Sequence, residues 1–294
     1  MTIEDELMDD VRNGRQVDIE RALLIASGCD TEEKVSEYKA KISELERQFY
    51  TYACARNVYG EAEAAKALHE FLWNEKPRTS LNKALTVMGF GDRYIKGHPL
   101  LTKAIDRQMS PKERHVSNCK GLTLLYTVLG LRSGLNVSVL NNPVHILSRV
   151  RAEGREINIE HTSREGFGID IEQPEKVGYM ALKEGPVIGL IGDLYLSRGN
   201  MAAKARCMEE AAVNFRKAVS LLPDDPSACA NYGGILAVIG RPKEALPYLS
   251  RAIGLLPIHA KAYYTRGRVK ECLGDIIGAE QDLAMYKQLA GDSL

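Results

Sequence analysis

The feature that most narrows the fold is an internal repeat in the last third of the chain. One constant shift lays Ala218 on Ala252, Pro223 on Pro257, Ala228 on Ala262, Gly233 on Gly267, Gly240 on Gly274 and Ala245 on Ala279. Small residues let two helices cross closely, glycine suits the turn between them, and proline ends the second helix. Each unit therefore reads as a helical hairpin that cannot bury its apolar face alone and must stack on its neighbours. Two full repeats are expected over 226–259 and 260–294. An upstream copy reads as stretched: Gly192 and Gly199 match the spacing of Gly233 and Gly240, but Ala211, Phe215 and Ala218 then fall seven residues late, which places an insertion at "MAAKARC". A segment of about two helical turns keeps the apolar faces in phase.

The period, about 34 residues, resembles that of tetratricopeptide repeats. Stacked hairpins of that kind form a concave face from the first helix of each repeat, suited to an extended peptide or a partner helix. Lys261, Tyr264 and Arg268 are expected to look into that groove as a mildly basic, aromatic surface. A protein or peptide is the partner this implies.

Upstream the texture differs. After the candidate cap Asp30-Thr31, Val35, Tyr38, Ile42, Leu45 and Phe49 fall three and four apart along one helix face, and a second amphipathic stretch runs from Gly60 to Trp73 before the expected loop "NEKPRTS". A helical pattern begins at Cys119 and should stop at Gly134. Three strands then follow, "LNVSVL" (135–140), "VHILSRV" (144–150) and "EINIEH" (156–161), joined by the turns "NNP" and "AEGR". One helix thus leads into an antiparallel meander.

Where the helix meets the loop before it, "RHVSNCKGLTLLY", a cysteine sits directly behind two capping residues, Ser117 and Asn118. Such a thiol lies at the positive end of the helix dipole, a position that favours the thiolate, and Lys120 adds a charge nearby. A nucleophile of this kind needs a base within hydrogen-bond reach and a third group to orient the base. His145 in the second strand is the candidate base, and Asn158 and Glu160, two apart on the third strand, are the candidate orienters.

The segment "SNCKGLTLLYTVLGLRSGLNVSVLNNPVHILSRVRAEGREINIEHTSREGF" resembles the transglutaminase-like superfamily, in particular its bacterial SirB branch. "IERALLIASGCD" and "LNKALTVMGFGD" resemble that branch's helical N-terminal part, so the similarity covers roughly residues 15–180. The resemblance implies a Cys-His-acid triad on Cys119, His145 and Glu160. Glu160 stands where the superfamily has Asp, one methylene longer, which keeps Asn158 as a substitute.

The blander readings have their own logic. A free cysteine is often a small apolar residue tucked under a helix start, and a lone strand histidine is often structural. His115, Cys119, His145 and His161 offer zinc-ligand chemistry but lack paired ligand spacing. His69, His98 and His259 read as structural.

The expected fold is α+β: a helical N-terminal part with a papain/transglutaminase-like helix-plus-antiparallel-sheet core (1–184; helical to about 110, core about 111–175), then an all-α solenoid (185–294). The expected activity is that of a thiol hydrolase or acyltransferase on an amide or peptide bond, with no cofactor or metal; the alternative is an inactive adaptor acting through its repeats. Thirty-nine basic residues balance thirty-nine acidic ones, which argues against polyanionic partners, nucleic acid or an anionic membrane. Six scattered cysteines without a CxxC pair fit reduced thiols in the cytoplasm, and the acidic "MTIEDELMDD" lacks the character of a signal peptide.

Overall fold

Local sequence sets the elements. In the computed structural model, which describes residues 2–74, 99–110, 117–142, 145–171 and 182–291, the chain is mostly helical with a small antiparallel sheet. "LNKALTVMGFGD", His98, His115 and most of "NEKPRTS" lie outside the described residues. The chain divides into two units, Met1–Leu190 and Ile191–Leu294. The boundary expected after Glu184 falls inside a short strand, and the division lies at Leu190 instead.

The first unit opens with α1 (Ile3–Arg12), α2 (Ile19–Ala26), α3 (Glu32–Cys54), α4 (Glu61–Asn74) and α5 (Leu101–Met109). Thr31 caps α3, and Val35, Ile42, Leu45 and Phe49 are buried as their spacing requires. Next comes α6 (Cys119–Arg132), buried continuously from Gly121 to Gly130, which marks a helix enclosed on all sides. It touches α3, α4 and α5 as well as the sheet. Three polar contacts fix its position: Tyr126 donates to the Ala65 carbonyl at 3.0 Å, and Arg132 pairs with Glu20 at 2.6 Å and with Glu46 at 2.8 Å.

The sheet holds β1 (Asn136–Asn141), β2 (Ile146–Ala152), β3 (Arg155–Ile159) and β4 (Lys183–Gly185), ordered β3-β2-β1-β4 with antiparallel neighbours. The expected meander is present, and β4 is an addition that its three residues did not advertise. Between β2 and β3 the turn is made by Glu153 (φ 53°) and Gly154 (φ 74°), the paired left-handed conformations that a two-residue hairpin demands.

The second unit consists of three hairpins: α7 (Gly189–Lys204) with α8 (Met208–Leu221), α9 (Pro226–Val238) with α10 (Pro242–Leu255), and α11 (Ala260–Cys272) with α12 (Ile276–Gly291). In helix pairing and interval they resemble tetratricopeptide repeats. The expected seven-residue insertion is absent. The first helices end at Lys204, Val238 and Cys272, each one repeat period after the last, and the second helices begin at Met208, Pro242 and Ile276 with the same interval. Gly199 therefore corresponds to Gly233 and Gly267, and all three occupy helix crossings. A Cβ at Gly199 would lie 2.5 Å from the Phe215 ring, at Gly233 2.7 Å from Leu249 Cγ, and at Gly267 3.0 Å from Leu283 Cγ. The left-handed turn that Gly240 and Gly274 make is made in the first hairpin by Arg206, at φ 62°. Gly192 and Gly199 share the spacing of a crossing glycine and a turn glycine, which is why sequence spacing misplaced the register.

Candidate active site

Asn118 caps α6, its side chain accepting from the Gly121 amide at 3.1 Å, so Cys119 is the first helical residue. Ser117, the other candidate cap, is buried. Cys119 is half-buried, within reach of solvent. One turn on, the Thr123 hydroxyl reaches the Ile146 carbonyl at 3.5 Å and ties the start of the helix to the start of β2.

His145 stands one residue before β2 rather than within it. Its backbone is held by a reciprocal pair: the His145 amide donates to Asn142 Oδ1 at 2.7 Å, and the Asn142 amide donates to the His145 carbonyl at 3.0 Å. The imidazole has two partners. Nε2 donates to Glu160 Oε2, and Cys119 is near enough to act on the ring's protonation. Because Nε2 is engaged by the carboxylate, Nδ1 is the nitrogen left for the thiol. Burial works against a charged ring, yet the hydrogen bonds and charges of Cys119 and Glu160 outweigh it and raise the His145 pKa.

Glu160 is 3 % exposed. Its Oε1 accepts twice from Thr162, from the amide at 2.8 Å and from the hydroxyl at 2.6 Å, while Oε2 faces His145. Burial raises its pKa, but His145 and the two Thr162 donors more than reverse this, so the carboxylate is held charged well below its ordinary range.

Asn158, the substitute orienter, is not at this centre. Its Oδ1 accepts from Arg149 Nε at 2.9 Å and its Nδ2 donates to the Ile169 carbonyl at 3.4 Å. Strand register gives the reason: Asn158 lies opposite Arg149, whereas Glu160 follows Ile159, the partner of Ser148, and so lies further along toward His145.

Among the described residues no three of His, Cys, Asp or Glu gather as a metal site. His161, a member of the zinc-ligand set weighed from sequence, is buried, shares a hydrogen bond with Ser148 Oγ at 2.7 Å and lies 4.5 Å from the Tyr126 ring. His69 donates to the Arg164 carbonyl at 3.1 Å, and His259 caps α11 by accepting from the Ala262 amide at 3.2 Å. Thr162 was missed by sequence reasoning. Its position two residues beyond a carboxylate, in reach of a local side-chain to backbone bond, was the available signal.

In the second unit, Lys261, Tyr264 and Arg268 share the exposed face of α11. Tyr264 stacks obliquely on Tyr286 of α12, with ring centroids 5.1 Å apart, and Arg268 pairs with Glu271. At the repeat interval, Tyr264 corresponds to Ala230 and Leu196, and Arg268 to Gly234 and Asn200. Asn231 Nδ2 donates to Asn200 Oδ1 at 3.2 Å, linking the first two hairpins. None of the helices described is long and apolar enough to cross a membrane.

No family model matches the chain. It is 31 % identical over 97 residues to mouse protein O-mannosyl-transferase TMTC1, a match covering 33 % of this chain and 10 % of that protein. The chain thus spans about a tenth of the length of that curated relative. Among solved structures, the second TPR of Spaghetti (RPAP3) bound to an HSP90 peptide is similar over 33 % of this chain and 91 % of that one, at 24 % identity and a TM-score of 0.33. Menin, in the structure that reveals its binding site for the Mixed Lineage Leukemia protein, is similar over 98 % of this chain and 70 % of that chain, at 12 % identity and a TM-score of 0.64. That likeness extends over both units and is one of fold.

Proposed function

We propose that the first unit is a transglutaminase-like thiol hydrolase or acyltransferase acting on an amide or peptide bond, and that the second binds the protein or peptide that carries it. One observation carries the catalytic reading: the His145 ring bonds the Glu160 carboxylate, with the Cys119 thiol near enough to influence its protonation. In this mechanism His145 takes the thiol proton and the sulfur attacks the carbonyl carbon, forming a carbon–sulfur bond. The negative charge moves to the carbonyl oxygen. Amides at a helix start are not consumed by intrahelical bonds, and in this reading that of Cys119 receives the charge. His145 then returns its proton to the leaving nitrogen as the carbon–nitrogen bond breaks. The thioester passes its acyl group to water or an amine. Glu160 holds the imidazole in the tautomer and orientation these transfers need.

The repeat reading is supported by the exposed face of Lys261, Tyr264 and Arg268. Such a surface suits an extended segment with backbone carbonyls and an occasional carboxylate.

Alkylation of the native protein by iodoacetamide, followed residue by residue by mass spectrometry, tests the catalytic reading. Cys54, Cys207 and Cys272 are exposed and serve as internal standards. Cys119 is expected to react fastest at neutral pH and to slow at least about tenfold in His145→Ala. Reaction at the pace of the exposed three would leave the adaptor reading, in which the repeats alone act.

A further inference from the structure

We infer that Thr162 is the positioning residue of this site: it grips one oxygen of Glu160 so that the other is presented to His145. The inference rests on the triad reading above.

A glutamate has one more rotatable bond than an aspartate, and an unsupported carboxylate on a longer arm points in more than one direction. The Thr162 amide and hydroxyl both donate to Oε1, at 2.8 and 2.6 Å, which leaves Oε2 for the imidazole. The segment carrying Thr162 is itself bracketed. Ile159 and Phe167 form an antiparallel bridge, the Glu160 amide donates to the Gly166 carbonyl at 2.8 Å, and the Gly166 amide donates to the Ser163 carbonyl at 3.3 Å. Gly166 lies so close over Glu160 that a Cβ there would collide with the Glu160 carbonyl oxygen. With no Cβ at Gly166 the loop packs closely on Glu160, and in it Thr162 faces the carboxylate.

The groups acting on His145 are Cys119 from α6 and Glu160 and His161 from the segment after β3, with His69 of α4 against His161. Only Glu160 is positioned by Thr162. Removing the hydroxyl weakens the hold on Glu160 and so lowers the preference of His145 for its charged form.

The test uses the full chain with Thr162→Val, which keeps the side-chain shape, and Thr162→Ser, which keeps the hydroxyl. Two readouts are followed: the His145 ring titration by NMR and the rate of Cys119 alkylation at one fixed pH. In Thr162→Val the His145 midpoint is expected to fall by about one pH unit and alkylation by up to about tenfold. Thr162→Ser is expected to retain wild-type behaviour in both. A Thr162→Val protein whose His145 titrates as wild type overturns the inference, as does a Thr162→Ser protein that fails equally, since the methyl and not the hydroxyl would then matter. Should the midpoint fall as expected while wild-type Cys119 reacts no faster than Cys54, Thr162 keeps its role toward His145 and the nucleophile assignment alone falls.

Discussion

His145 and Glu160 meet although neither lies in a strand: one precedes β2, the other follows β3, and the antiparallel register Ser148 to Ile159 carries the two chain ends toward each other. The sheet thereby delivers an imidazole and a carboxylate to the start of the buried helix α6, where Cys119 waits. Nothing in the pair is left to a long flexible side chain, because the His145 backbone is clasped by Asn142 and the Glu160 carboxylate by Thr162.

That pairing should appear in the pH dependence of stability. Glu160 has a folded pKa below its ordinary value of 4.5, so its contribution is present above that pH and is lost as pH falls through the depressed folded value. His145 has a folded pKa above its ordinary 6.5, so its contribution is present below 6.5 and is lost as pH rises through the raised value. Between 4.5 and 6.5 both contribute. Glu160→Gln should lower stability by about 1–3 kcal/mol in that window and flatten both limbs, as read by urea titration across pH. Unchanged limbs would count against the ion pair.

His161 adds a second acid limb, opposite in sense to the titration of His145. Burial, reinforced by the neighbouring His69, lowers its pKa to about 3, so the unfolded chain binds a proton that the folded chain refuses. Stability is therefore lost as pH falls below the ordinary 6.5 and continues to be lost down to about 3. His161→Phe should cost about 1 kcal/mol at neutral pH through the bond to Ser148, yet resist acid better than wild type. Acid melting followed by circular dichroism decides it.

The crossing glycines separate from the merely helical ones. Gly199→Ala places a Cβ 2.5 Å from the Phe215 ring and should destabilise the repeat unit by about 1–3 kcal/mol. Gly234 has open space where a Cβ would go, so Gly234→Ala should stabilise by about 1 kcal/mol through helix propensity. Opposite signs in thermal denaturation are the expected result.

Arg206 holds the left-handed turn position that glycine holds in the other two hairpins. Arg206→Gly should raise the stability of the repeats by about 0.5–1 kcal/mol, since the strain of a Cβ at φ 62° is removed. A loss of stability would contradict the uninterrupted register of the three hairpins.

Much of this was legible in the chain. A cap before an apolar run announces the helix that begins at Cys119, alternation announces β1 to β3, and one recurring interval announces the hairpins, because each of these signals lies between residues close in sequence. The candidate triad was legible too, as residue types in order. What no local pattern contained was the register of β2 against β3. That register sets Asn158 opposite Arg149, where it also reaches Ile169, and carries Glu160 further along toward His145. Gly192 and Gly199 were ambiguous for the same reason: a glycine that admits a neighbouring helix and one that reverses the chain are the same letter, and packing against Leu222 and Phe215 shows both to be of the first kind. Periodicity is carried by neighbours along the backbone, whereas meetings of side chains depend on loops and crossings that only the assembled chain brings together.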